Sequence, residues 1–237
     1  MERIDKIISS QGQYSRSEVK KLIKGGRITL NGRVLKSSDE KADPDSCVIA
    51  IDGKPLGYKK HIYIMLNKPQ GVVSATDDRD HKTVIDLVPK ELKRAGLFPA
   101  GRLDGDTVGF VLITDDGDFA HRILSPKNHI MKTYHATLQR PVTQADIDAF
   151  RNGIELKDGT LCLEAQVKPL DSDERMAEIK ICEGKYHQVK RMFAALGNKV
   201  LYLKRVKMGE LSLDEKLEEG QCREITREEL ELITKKP

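Results

Sequence analysis

The stretch Ala100-Gly101-Arg102-Leu103-Asp104-Gly105-Asp106-Thr107-Val108-Gly109 constrains this chain more than any other. It is a polar, Gly-rich turn that runs straight into Phe110-Val111-Leu112-Ile113-Thr114, an apolar run of the length of a buried strand. Asp115-Asp116-Gly117 closes that strand as a turn signal. A loop tethered in this way holds Asp104 against the core, a common place for a chemical group. Read alone, the same residue is an ordinary turn carboxylate, because Asp side chains bond their own backbone in turns. The rest of the chain has to decide between the two.

With 237 residues the chain has room for one or two domains. Its hydrophobic fraction of 38% can build a core, and its charged fraction of 33% suits a soluble protein. No run approaches the ~18 apolar residues of a membrane crossing, so no membrane partner is expected. Met1-Glu2-Arg3-Ile4-Asp5-Lys6 has the charge and period of a helix rather than of a signal peptide. Cys47, Cys162, Cys182 and Cys222 are far apart and lack CxxC spacing. They read as reduced thiols of a cytoplasmic protein, and neither a metal site nor a disulfide framework is expected. Residues 1–60 hold 13 Lys and Arg against 8 Asp and Glu, whereas the other 177 hold 28 against 29. The positive excess therefore sits at the N-terminus and favours an anionic partner there.

Within residues 3–11, Ile4, Ile7 and Ile8 have the spacing of a short amphipathic helix. Ser15-Arg16-Ser17-Glu18 is a capping box with Ser15 as N-cap. The helix behind it buries Val19, Leu22 and Ile23, exposes Arg16, Lys20, Lys21 and Lys24, and stops at Gly25-Gly26. That basic side is either a solvated face or an anion-binding one. Asn31-Gly32, between Ile28-Thr29-Leu30 and Arg33-Val34-Leu35, predicts a tight hairpin. A further strand over 47–51 closes at Asp52-Gly53.

Residues 56–61 read as a linker, and Ile62-Tyr63-Ile64-Met65-Leu66 opens a second core as a buried strand. Asn67-Lys68-Pro69-Gln70-Gly71 turns the chain. Residues 74–82 have no apolar period and read as a mobile surface loop. A short helix follows Gly117 and ends at Ser125-Pro126, and 131–138 alternate like a strand that carries Lys132 and Tyr134. Thr143 caps a helix that ends at Asn152-Gly153. Two strands, 161–167 and 176–182, suit an antiparallel sheet. The helix over 187–196 buries Val189, Met192, Phe193 and Leu196 and sets His187, Lys190 and Arg191 on another face. A strand over 200–206 and a final helix capped by Thr226 complete the chain.

Gly-Arg-Leu-Asp-x-x-Thr-x-Gly, followed by the apolar strand and Thr114-Asp115-Asp116-Gly117, resembles the catalytic signature of the pseudouridine synthases that modify ribosomal RNA. Residues 186–198, Tyr-His-Gln-Val-Lys-Arg-Met-Phe-Ala-Ala-Leu-Gly-Asn, resemble the small-subunit branch, the RsuA family. Arg3-Ile4-Asp5, Ser15-Arg16-Ser17 and residues 22–32 resemble the S4-type RNA-binding domain. The resemblance implies an α+β chain. Residues 1–58 would form the S4-type domain, and 60–237 a catalytic domain with a largely antiparallel mixed β-sheet flanked by helices.

The resemblance also implies roles. Asp104 would be the catalytic carboxylate, Lys190 its basic partner, and Tyr134 the ring that packs on the target base. Arg102 would enter the space left by the flipped nucleotide. Lys132, His187 and Arg191 would position RNA, the last two with a structural role as the alternative. Arg3, Arg16, Lys20, Lys21, Lys24 and Arg27 would grip phosphates. Lys68 falls in a Lys-Pro-x-Gly turn that would support the site. The implied reaction turns one uridine of 16S rRNA, of the uridine 516 type, into pseudouridine, on free RNA or an assembling small subunit. No cofactor is implied, and a monomer is the default. Two other readings stay open. One is a non-catalytic rRNA-binding or ribosome-assembly factor. The other is a glycoside hydrolase, which would need a second carboxylate, from Asp106, Asp115 or Asp116, across from Asp104.

Overall fold

Three isoleucines on one side of a helix need a partner surface, and the next helix supplies it. In this computed structural model, which describes residues 1–170 and 175–235, Ile4, Ile7 and Ile8 of α1 (Ile4–Ser10) are buried with Val19, Leu22 and Ile23 of α2 (Arg16–Lys24). The box that starts α2 is complete. Glu18 N donates to Ser15 Oγ at 3.3 Å, and Ser15 N donates to Glu18 Oε2 at 2.7 Å. β1 (Glu2–Arg3) pairs with β4 (Lys41–Ala42). β2 (Ile28–Leu30), β3 (Arg33–Val34), β5 (Ile49–Ile51) and β6 (Lys54–Pro55) form an antiparallel sheet in the order β3-β2-β5-β6. Both hairpins turn with positive φ at two successive residues, 50° and 80° at Asn31-Gly32 and 51° and 76° at Asp52-Gly53. That is the type I′ geometry that suits strand twist.

Residues 1–62 form one compact unit together with 89–97. Nothing in the local pattern announces that excursion, because distant backbone contacts make it. Arg94 donates from Nη1 to Lys59 O at 3.1 Å and from Nη2 to Lys60 O at 2.8 Å.

The second unit takes Tyr63–Val88 and the chain from Phe98 onward. Its nine-stranded sheet runs β11-β12-β10-β13-β9-β7-β15, with β14 added to β13 and β8 to β9. These strands are β7 (Tyr63–Lys68), β8 (Phe98–Pro99), β9 (Val108–Thr114), β10 (Lys132–Leu138), β11 (Gln166–Pro169), β12 (Met176–Ile181), β13 (Val200–Met208), β14 (Leu211–Ser212) and β15 (Cys222–Glu224). Every pair is antiparallel except β9 with β13, where Gly109 faces Arg205. Its described residues also form the helices α3 (Gly117–Leu124), α4 (Gln144–Asn152), α5 (Gln188–Ala195) and α6 (Arg227–Thr234). All seven residues of β9 are buried. Phe110 and Leu112 pack there with Phe119 and Ile123 of α3 and Ile233 of α6. Phe150 of α4 meets Phe193 of α5 at 5.0 Å between ring centroids.

Two expectations need correction. The strand expected over 161–167 occurs only from Gln166. Before that point the backbone bonds elsewhere, Cys162 N to Ile154 O, Leu163 N to Glu183 Oε1 and Ala165 N to Phe150 O. Leu196 caps α5 and is half-buried rather than part of its buried face.

Candidate active site

The Gly-rich loop is shaped by what lies beside it. Gly109 has φ +97°, and a Cβ there would lie 2.3 Å from the Arg205 carbonyl oxygen, so β13 approaches this closely only because the residue is Gly. Leu103 N donates to Ser74 Oγ at 3.0 Å, and Ser74 Oγ donates to Leu103 O at 3.1 Å. Thr107 N donates to Asp104 O at 3.1 Å, which closes the turn around Asp104. Beneath the loop, the fully buried Lys68 donates from Nζ to Pro69 O (3.0 Å), Gly105 O (3.3 Å) and Thr107 O (2.9 Å). Burial pulls the Lys68 pKa down to about 8.

Asp104 opens onto a cleft of about 670 Å³, within the usual range for a ligand pocket. Lys190 of α5 donates from Nζ to Asp104 Oδ2 at 3.1 Å and to Asp106 Oδ1 at 2.5 Å. Burial acts to lower the Lys190 pKa, but the hydrogen bonds to Asp106 and Asp104 outweigh it and the net shift is upward. The bond from Lys190 in turn lowers the pKa of Asp106. His187, the left-handed N-cap of α5 at φ 49°, sets Nε2 3.4 Å from Asp104 Oδ1. Its ring stacks on exposed Tyr186, 3.8 Å between centroids and 18° between planes. Tyr134, Arg102, Leu103, Lys185 and Tyr186 line the same cleft.

The structure thus brings Asp104, Lys190, His187, Tyr134 and Arg102 together. Lys132 lines the cleft but is buried, with Nζ donating to Ile123 O at 3.3 Å and Cys182 O at 3.2 Å. Burial, then the charge of Arg205, lowers its pKa to about 8. An ammonium so enclosed braces two carbonyls and is withdrawn from the surface where a phosphate would lie. Arg191 turns aside to Asp158 Oδ2 at 2.5 Å and to Tyr186 O at 3.3 Å. Asp115 and Asp116 follow the far end of β9, where Asp116 caps α3 and accepts from Tyr63 Oη at 2.6 Å. Sequence reasoning missed Ser74 as a brace and passed over Arg205. Among the described residues, no group of three or more His, Cys, Asp or Glu is placed to hold a metal ion.

In the first unit, Arg16, Lys20, Lys21 and Lys24 all lie exposed on α2 and make no ion pair among the described residues. Arg3 and Arg27 are held differently. Arg3 pairs with Asp5 at 2.9 Å and Asp39 at 2.5 Å. Arg27 makes a two-pronged contact with Asp52 at 2.8 and 2.6 Å.

Comparison with known proteins places this geometry. A family model described as RNA pseudouridylate synthase matches residues 62–195, and one described as S4 domain matches residues 2–46. The chain is 46% identical over 233 residues to the uncharacterized RNA pseudouridine synthase YtzG of Bacillus subtilis (strain 168), covering 98% of each. It is 43% identical over 230 residues to the ribosomal small subunit pseudouridine synthase A of Salmonella typhimurium, covering 96% of this chain and 98% of that one. A crystal structure of a pseudouridylate synthase superposes with TM-score 0.68 at 40% identity, covering 98% of this chain and all of that one.

Proposed function

The chain belongs to the RNA pseudouridylate synthase family, and on that premise we propose that it isomerises one uridine of small-subunit ribosomal RNA, of the uridine 516 type, with Asp104 as its catalytic carboxylate. The observation that carries this reading is Asp104 itself, held between Lys190 and His187 at a cleft walled by Tyr134. The names of the ribosomal small subunit relatives support the choice of RNA.

The chemistry asks for few groups. The bond from C1′ to N1 of the uridine breaks, the uracil turns, and C5 bonds to C1′. The proton on C5 is lost and N1 gains one, so the atoms balance with no added reactant. Asp104 can attack C1′ and hold an oxocarbenium-like state, as one glycosidase carboxylate does. It can also serve by removing the 2′ proton. Lys190, fixed on a helix, holds the carboxylate in position for either route and keeps the charge around it balanced. The target nucleotide must leave its stack, at a cost of a few kcal/mol. Arg102 is exposed at the cleft to fill the gap, and Tyr134 offers the ring face for the base. The exposed basic row of α2 supplies phosphate contacts with little sequence reading.

The test compares Asp104→Asn with the parent protein on unmodified small-subunit rRNA, with pseudouridine mapped by chemical labelling and primer extension. The parent protein is expected to modify one position, and the variant to lose at least about 10⁴-fold in rate with RNA affinity kept. An active variant, or a parent protein inert on both naked rRNA and partly assembled subunits, rules the proposal out.

A further inference from the structure

Arg205 lies in the wall of the same cleft, and the fold uses only part of its guanidinium. It is 3% exposed. Its Nε donates to Phe110 O at 2.7 Å, but its Nη2 is buried with no hydrogen-bond partner. No carboxylate pairs with it among the described residues. The charged neighbour that feels it is Lys132, of the same sign. A buried guanidinium with a spare donor beside another cation is costly, and such an exception in a folded protein wants an explanation.

The sheet register suggests one. Tyr134 on β10 stands directly opposite Arg205 on β13. Residues opposed in this way share one face of a sheet, with Cβ atoms about 5 Å apart. Both line the cleft that Asp104 opens onto. We propose that Arg205 reads the uracil, its spare guanidinium donor taking a carbonyl oxygen of the target base as that base lies against Tyr134. This rests on the reading of the cleft as the uridine site. A phosphate is the poorer candidate, because it stays on the RNA backbone at the cleft mouth while Arg205 is almost wholly buried.

The reaction gives the contact a special value. The two carbonyls of uracil, O2 and O4, are disposed evenly about the axis through N3 and C6. When the N1–C1′ bond breaks and the ring turns about that axis to present C5, O2 and O4 change places. A fixed donor therefore meets a carbonyl oxygen both before and after the turn. Cytosine carries one carbonyl and one amino group, so in one of the two orientations the donor would face another donor. Arg keeps its protons throughout, which makes it a constant donor.

The test uses the full chain and target RNAs carrying uridine, 2-thiouridine or 4-thiouridine at the modified position, because sulfur is a poor acceptor. Single-turnover rates and RNA affinity are measured for the parent protein, Arg205→Gln and Arg205→Lys, with melting temperatures. Loss of a bond to a charged donor should slow the parent protein roughly 10- to 100-fold on either thio-RNA. Arg205→Gln should slow by a similar factor on uridine with affinity within about 3-fold, and then lose less than about 3-fold more on the thio-RNAs. Arg205→Lys, which keeps the charge and misplaces the donor, should follow Arg205→Gln. If the penalties of variant and analogue simply multiply, the contact does not exist. If Arg205→Gln instead loses affinity equally for every RNA, the partner is a phosphate and the proposal falls. Should Arg205→Gln not fold, a parent protein indifferent to both thio-RNAs still overturns it. An active Asp104→Asn protein would instead remove the reading of the cleft on which all this stands.

Discussion

At the scale of single residues, the clearest lesson comes from the lysines. Lys190 is legible because residues 186–198 resemble a family motif, whereas the helical period alone only sets it apart from the buried face of Val189, Met192 and Phe193. Lys68 is read only as a supporting turn residue, because its acceptors Gly105 and Thr107 lie 37 and 39 positions away. Arg205 is harder still, since its acceptor Phe110 is 95 positions away. Lys68 also predicts a pH response. Its three acceptors use all three ammonium protons, and its pKa of about 8 lies below the ordinary 10.5. Between these values the unfolded chain holds more protons than the folded one, so the Lys68 contribution makes the fold more stable as pH rises. Over the same range one bond under the Asp104 loop is lost. Turnover should therefore fall above about pH 8 while the melting temperature does not. Lys68→Met should lower turnover roughly 10- to 100-fold at pH 7 and remove that alkaline limb. Rate profiles and melting curves taken together check this.

At the scale of elements, local chemistry was the reliable guide. Ser15, Thr143 and Thr226 cap their helices as capping boxes. Asn31-Gly32 turns its hairpin because those two residues accept positive φ. The stretch 161–165 reads as strand because apolar residues recur at 161, 163, 165 and 167. But Leu161 and Leu163 are exposed while Ala165 and Val167 are buried, the alternation breaking at the exposed pair Leu163-Glu164, and its backbone bonds go to α4, residue 154 and Glu183. Burial pattern reports which side faces inward, not which neighbour takes the hydrogen bonds. Gly109 shows the reverse case, a residue whose type is set by the adjoining strand. Gly109→Ala puts a methyl against the backbone of Arg205 at positive φ. It should destabilise the protein by roughly 2–4 kcal/mol in chemical denaturation and lower activity in the fraction that folds.

At the scale of the whole molecule, charge and chemistry are divided along the chain. The net +5 of residues 1–60 contrasts with the net −1 of the rest. The four exposed cations of α2 supply a large part of that excess. Replacing Arg16, Lys20, Lys21 and Lys24 together by Gln should weaken RNA binding at low salt. It should also reduce the slope of log affinity against log salt by roughly 3, if each cation meets one phosphate. Turnover of saturating RNA should change less than about 3-fold. Titrations at several salt concentrations beside single-turnover rates separate the two effects.

The parallel seam between β9 and β13 has a consequence for how the molecule is made. During synthesis the Asp104 loop emerges early, yet α3, β10, α4, β11, β12 and α5 must all follow before β13 arrives to lie beside β9. Until then the start of β9, at Val108 and Gly109, lacks its ladder partner, although β8 already pairs with its other end, and neither Lys190 nor Arg205 is in place. The first unit draws on the chain only as far as residue 97. A ribosome therefore delivers the first unit, with the basic row of α2, well ahead of the strand that completes the cleft at Asp104, which closes only as the last third of the chain is made.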